Sequence, residues 1–270
     1  MSKRPDFTNT PTAGLLALAH RRMGKRGFYD VIDELHKRGS RDIFDYAATC
    51  CKSIDPRERM MGADILGQLG RQKDKFRTPS IKQLVGLLHD DDLRVVCRAT
   101  SAIGHRRASE AVPRLVELSK HKRSRVRFGV VFGLLCQDSE PAVATMIELS
   151  RDHDAEVRNW ATFGLARQID IDTPAIRAAL IDRLTETDPE IRSEALEGLA
   201  SRRHPDALQW IQAALAEADI ITGYLEAAAT LGDPALLPTL QNIKEKWPPG
   251  PESYNYFYNV LDDAIKACSA

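Results

Sequence analysis

Residues 154–168 read DAEVRNWATFGLARQ, and much the same spacing of residue types returns five more times along the chain. With Arg158 as anchor, Asp154 lies four before it, Val157 one before, Ala161 three after, and Leu165 and Ala166 seven and eight after. The frame gives Asp188, Ile191, Arg192, Ala195, Leu199 and Ala200 in DPEIRSEALEGLA, and Asp55, Arg59, Gly62, Leu66 and Gly67 in DPRERMMGADILGQLG. RSRVRFGVVFGLLC keeps Val126, Arg127, Val130 and Leu134 but puts Arg123 in the aspartate place. DLRVVCRATSAIG keeps Asp92, Ala99, Ile103 and Gly104 with Val96 at the anchor, and IITGYLEAAATLG keeps Ala227, Leu231 and Gly232 with Tyr224 there. The anchors 59, 96, 127, 158, 192 and 224 are spaced by 37, 31, 31, 34 and 32 residues, a period that marks a repeat protein.

Each copy predicts a pair of antiparallel helices. In the fourth, PAVATMIELS (141–150) sets Val143, Met146, Ile147 and Leu149 near helical spacing, and RDHD makes a polar turn. Asp154 then caps a second helix whose apolar side carries Val157, Ala161 and Leu165. The pattern D-x-x-V-R-x-x-A followed by L-G or L-A resembles the HEAT repeat, particularly the short form of phycobilisome lyase-type proteins, over roughly residues 40–245. The resemblance implies an all-α, right-handed α-solenoid (an α/α superhelix) of about six to seven helical hairpins with terminal capping helices. It implies little about activity, because that repeat occurs in scaffolds, chromophore lyases and a few enzymes alike. The expected organisation is a flexible N-terminus over 1–13 and one solenoid domain over 14–270. Within it lie an N-terminal cap unit (14–52), six repeats (53–246), and a linker with a C-terminal capping helix (247–270). WPPGPE at 247–252 breaks any helix, and Tyr254, Phe257, Val260 or Leu261 and Ile265 form the covered side of the last one.

Composition supports this reading. Aromatics are 6% and the 43% hydrophobic content is dominated by Ala and Leu, which suits helices with small contact residues. Lys plus Arg and Asp plus Glu stand at 38 each, so no global charge points to nucleic acid or an anionic membrane. Locally the balance is uneven: residues 93–137 hold ten Arg or Lys against two Glu, and 138–200 hold fourteen Asp or Glu against six Arg. The five cysteines, Cys50, Cys51, Cys97, Cys136 and Cys268, form no C-x-x-C pair and read as reduced, mostly buried thiols. With no signal-like segment and no apolar run of about 18 residues, the expected location is cytoplasmic.

The aspartates and arginines of the frame have a structural reading. Asp55, Asp92, Asp154 and Asp188 are expected to cap second helices, and Arg59, Arg127, Arg158 and Arg192 to bridge turns as a charged ladder. Phosphate-loop, nucleophile-elbow and H-E-x-x-H patterns are absent, and HDDD at 89–92 reads as a turn before a cap rather than as a cation site. No cofactor or metal is expected.

Helical geometry points positions +1, +4, +5 and +8 from the anchor away from the hairpin core, toward the concave side of a solenoid. In the third copy these are Phe128, Val131, Phe132 and Leu135; in the fourth, Asn159, Thr162 and Phe163 with Trp160 alongside. The second and fifth copies put Cys97, Thr100, Ser101, Ser193 and Glu197 there. The expected binding site is therefore Phe128, Phe132, Trp160, Phe163 and Asn159, rimmed by Arg94, Arg98 and Glu197. The function it suggests is a non-catalytic protein-binding scaffold or adaptor, such as a bacterial immunity-type inhibitor. The expected partner is another protein, and the chain itself is expected to be monomeric. The alternatives are a bilin lyase-like, chromophore-handling protein, or a HEAT-like nucleic-acid-binding protein or DNA glycosylase. The last is disfavoured because the acidic residues at 152–156 and 186–197 interrupt the basic face that phosphate binding needs.

Overall fold

A computed structural model describes residues 5–70, 75–246 and 255–269. The helix-breaking WPPGPE segment and Tyr254 lie outside the described residues. Among those residues there are sixteen α-helices and no strands. The chain folds as two compact units, Met1–Ala142 and Val143–Ala270.

In the first unit, α1 (Thr12–Arg22) packs on α2 (Phe28–Arg38), and α3 (Arg41–Cys50) forms a hairpin with α4 (Pro56–Gln68). Two further hairpins follow: α5 (Arg77–Leu87) with α6 (Leu93–Arg106), and α7 (Val112–Leu118) with α8 (Ser124–Leu134). The second helices stack on one another, α4 on α6 and α6 on α8. Helix α9 (Glu140–Leu149) contains the boundary between the units. In the second unit, α10 (Ala155–Phe163) runs on into a π-helical turn, Gly164–Gln168. There α11 (Pro174–Arg183) pairs with α12 (Pro189–Ser201), and α13 (Ala207–Leu215) with α14 (Thr222–Leu231). Finally α15 (Leu237–Lys246) pairs with α16 (Asn255–Cys268), and α10, α12, α14 and α16 stack in turn. On α16 the fully covered residues are Leu261, Ala264 and Cys268, while Phe257, Val260 and Ile265 are partly covered.

Four of the second helices, α4, α6, α10 and α12, start where an aspartate stops the preceding turn, whereas α8 follows Arg123 and α14 follows Ile221. Asp55, Asp92 and Asp188 each accept the backbone N–H two residues on, at 2.8, 2.9 and 2.9 Å, and Asp154 accepts those of Glu156 and Val157. This satisfies donors a helix leaves open at its first turn. Pro56 and Pro189, directly after two of these caps, have the φ the first helical residue needs. The leucine or isoleucine at +7 (Leu66, Ile103, Leu134, Leu165, Leu199, Leu231) is buried in every copy, and so forms the repeating core of the hairpin stack.

The anchor arginines tie turns together. Arg59, Arg127, Arg158 and Arg192 each donate to the carbonyl six residues earlier in their own turn, at 2.8–2.9 Å. Arg59 also grips Asp90 of the next turn with two bonds of 2.6 and 2.8 Å, Arg158 grips Glu186 with two of 3.1 Å, and Arg192 reaches Glu217 at 2.8 Å. Fork-on-carboxylate pairing of this kind fixes direction as well as distance. A second set lies ten residues past the anchor. Arg106 is buried and donates to the carbonyls of Leu66 and Leu69, the C-terminus of the previous second helix. Arg202 does the same for Leu165 and Ile169. Each places a cation at the negative end of a helix and closes carbonyls that would otherwise lack donors.

Close approach of second helices demands small residues. A Cβ on Gly104 of α6 would collide with the backbone carbonyl of Phe132 on α8, whereas one on Gly86 of α5 would meet nothing within 4 Å. Gly86→Ala should therefore raise stability by about 0.5–1 kcal/mol through the entropy of the unfolded chain. Gly104→Ala should lower the thermal midpoint, because only backbone can yield. Melting both variants beside the parent checks the contrast; equal shifts would contradict the packing described.

Candidate binding face

The register of the second helices divides the four positions expected to be open. Position +4 is buried in all six copies: Ala63, Thr100, Val131, Thr162, Leu196 and Ala228. The expectation that Val131, Thr100 and Thr162 face outward is thus corrected: all three are buried, and within the first unit Thr100 of α6 lies directly against Gly129 of α8. Ser193 and Glu197 are buried too, and Glu197 accepts from the Thr230 hydroxyl at 2.8 Å instead of rimming an open site. Positions +1 and +5 carry the side chains that remain at least partly exposed in the first four copies: Met60 and Asp64, Cys97 and Ser101, Phe128 and Phe132, Asn159 and Phe163, with the Asp64 side chain only 13% exposed.

In the first unit, Phe128 and Phe132 lie one turn apart on α8 with ring centroids 5.0 Å apart, tilted by 53°. In the second, Trp160 and Phe163 on α10 pack edge to face at 5.4 Å, a geometry that aromatic quadrupoles favour. Asn159 turns its Oδ1 inward, where it has no hydrogen-bond partner among the described residues. Arg94 and Arg98 sit elsewhere in the first unit, beside a cleft of 570 Å³ between the turn before α2 and helices α4 and α6.

This cleft contains functional candidates that the sequence pattern did not single out. Arg98 donates to the Tyr29 hydroxyl at 2.9 Å and pairs with Asp64 at 3.3 Å. Tyr29 is 55% exposed, Met60 lines the wall, and Lys25 and Arg57 complete the rim. Asp64 occupies +5 of the first copy, the register that holds Phe132 and Phe163 in later ones, so the repeat frame itself could have found it. Burial pushes the Asp64 carboxyl up to about 6, with the Arg98 guanidinium pulling the other way. Behind it the His36 ring donates from Nε2 to the Asp64 carbonyl at 2.9 Å. Burial holds that imidazole below its usual range and hence neutral at pH 7.

Other candidate chemistry is occupied or suppressed. In the HDDD turn Asp90 holds Arg59, and Asp92 caps α6 and binds Arg94 at 2.7 Å. Among the described residues no three His, Cys, Asp or Glu side chains gather as a metal site. The cysteines are free, and burial pushes Cys50 up to about 11 and Cys51 to about 12, far from a thiolate at neutral pH. Part of the basic stretch is internal: Arg106 and Arg127 are buried, and Arg114 pairs with Glu117. No described helix is long and apolar enough to cross a membrane.

The raised Asp64 carboxyl has a testable sign. The native state keeps this proton to higher pH than the ordinary value of 3.8, so it binds more protons than the unfolded chain between those two values. Stability from this group therefore falls as pH rises through that window. A carboxyl-carbon NMR titration should place the Asp64 midpoint near 6, and Arg98→Ala should move it higher still. A midpoint in the ordinary carboxylate range, unmoved by Arg98→Ala, would contradict the burial described.

No curated protein matches the chain in sequence. Among solved structures, YibA of Escherichia coli is similar with a TM-score of 0.65 at 24% identity, covering 98% of this chain and 99% of its own. Kap95p, crystallised with RanGDP, gives 0.58 at 12% identity over 94% of this chain and 41% of its own. An engineered protein gives 0.52 at 16% identity over 96% and 79%. At these identities the likeness shows the fold alone. The HEAT repeats family matches residues 81–166 and again 143–232, together more than half the chain. The repeat frame, the paired helices and this match agree: the chain belongs to the HEAT-repeat family.

Proposed function

We propose that this chain is a non-catalytic, protein-binding scaffold or adaptor of the kind that occludes or positions another protein, as an immunity-type inhibitor does. The observation that carries this reading is the register of the second helices. Position +4 is sealed in every copy, while +1 and +5 leave Phe128, Phe132 and Phe163 half-exposed. Aromatic side chains held by a rigid helix cost little entropy on binding and supply large contact area. Kap95p, which has the same fold, binds RanGDP, so a stack of this type can present a protein-binding surface. In this reading the chain works as a monomer in the cytoplasm, needs no cofactor, and keeps its thiols reduced.

The test is affinity capture from lysate of the source cells, comparing the parent with Phe128→Ala/Phe132→Ala/Phe163→Ala after confirming cooperative unfolding of the variant. One protein held by the parent and lost by the folded variant is the expected result. Capture unchanged by the three substitutions would contradict it, as would recovery of only nucleic acid or a coloured small molecule.

A further inference from the structure

Arg57 on α4, Arg94 on α6 and Arg125 on α8 share one register, two residues before the anchor, and each is the second residue of its helix. A helix N-terminus is the positive end of the dipole, where Asp and Glu are favoured and cations are not. The second unit follows that rule, with Glu156 and Glu190 in the same register. Three successive arginines in the first unit therefore work against helix stability. All three are exposed. Arg94 rests on its own cap, Asp92, in a solvent-exposed pair, while Arg57 and Arg125 hold no ion-pair partner among the described residues.

Their surroundings are partly apolar. Arg57 and Arg94 border the cleft that Met60 and Tyr29 wall, with Lys25 on the rim. Its carboxylate, Asp64, is engaged by Arg98. Arg125 continues the row on the next helix: the Cys97 thiol donates to its carbonyl at 3.6 Å, and both the Arg125 and Arg98 charges act on that thiol. What fits is an anionic ligand that also has apolar groups and spans several helices.

Spacing defines it further. Packed helices lie about 8–10 Å apart, and a polyproline-type extended chain returns to the same face every third residue after about 9 Å. Resting on the protein-binding reading above, we propose that the arginine row and cleft of the first unit bind an extended acidic peptide segment of the partner, with a carboxylate at every third residue. A nucleic-acid strand fits less well, because the row is short and shares its cleft with Asp64 and an apolar wall, whereas phosphate binding needs a continuous basic face.

The experiment is fluorescence anisotropy of the full chain with a labelled (Glu-Pro-Ala)₄ peptide. The comparison ligands are (Lys-Pro-Ala)₄, a peptide of the same composition with its glutamates blocked together, and a labelled oligothymidylate. The periodic acidic peptide should bind best, and more weakly as salt rises. Arg57→Ala/Arg125→Ala should weaken it roughly tenfold, the loss of two exposed ion pairs. The thermal midpoint of that variant should be unchanged or raised, since the two cations oppose the dipole. No binding of the acidic peptide, equal binding of the lysine or blocked peptide, tighter binding of the oligothymidylate, or indifference to the two substitutions would each overturn the proposal. If peptide binding fails while the phenylalanine variant still loses its captured protein, the acidic segment is wrong and the scaffold stands. If the peptide binds through the arginines while capture is unaffected by the phenylalanine substitutions, the acidic segment stands and the aromatic face is wrong.

Discussion

Everything in this fold depends on how closely one second helix can approach the next. Helix α6 reaches α8 only because Gly104 leaves room for the Phe132 carbonyl, and α12 reaches the π-helical turn after α10 only because Gly198 leaves room for Ala166. Once that distance is set, the row at +4 is sealed, and a polar residue there must find its own partner. Thr100 and Thr162 do so by donating to carbonyls in their own helices. Arginines then lock the arrangement at both ends, the anchor ladder across the turns and Arg106 and Arg202 across the helix C-termini. Such bonds bring directionality to an interface whose apolar contacts have little.

A repeat built this way separates stability from recognition by register. The frame positions −4, 0, +3, +4 and +7 and the arginines at +10 are committed to capping, ladder and core. Position −2, and positions +1 and +5 of the first four copies, remain at least partly open, and there the residue type changes from copy to copy. The first unit has arginine at −2 in all three copies, with Met60, Cys97, Phe128, Asp64, Ser101 and Phe132 at +1 and +5; the second has Glu156, Glu190 and Thr222 at −2, with Asn159 and Phe163 at +1 and +5 of the fourth copy. Variation at open positions beside a sealed core row is what a modular interaction surface requires.

Much of the fold was legible because the frame repeats a physical necessity: a cap, an anchor and a leucine seven residues on recur wherever a hairpin must be stacked. The open face was less legible. A helical wheel alone places +4 beside +1 and +5, and only the distance between α6 and α8 reveals that Thr100 is covered. Charge counting met the same limit. Arg106 and Arg127 add to a basic stretch of sequence, yet in space one closes a helix terminus and the other holds a turn. Asp64 escaped for a different reason. Its copy opens the repeat series with Met60 and Asp64 where later copies place aromatics, and its partners Tyr29 and Arg98 come from elements 35 residues before and 34 residues after it.

The register can be measured directly by thiol accessibility. With the native cysteines replaced by alanine, single cysteines at Thr100→Cys (+4) and Ser101→Cys (+5) place neighbouring probes on α6. Ser101→Cys should react with a small thiol reagent at a rate near that of an exposed cysteine. Thr100→Cys should react only as fast as the stack opens, orders of magnitude more slowly. Comparable rates at the two positions would show that +4 is not sealed, and the division of the helix surface into packed and binding rows would fall with it.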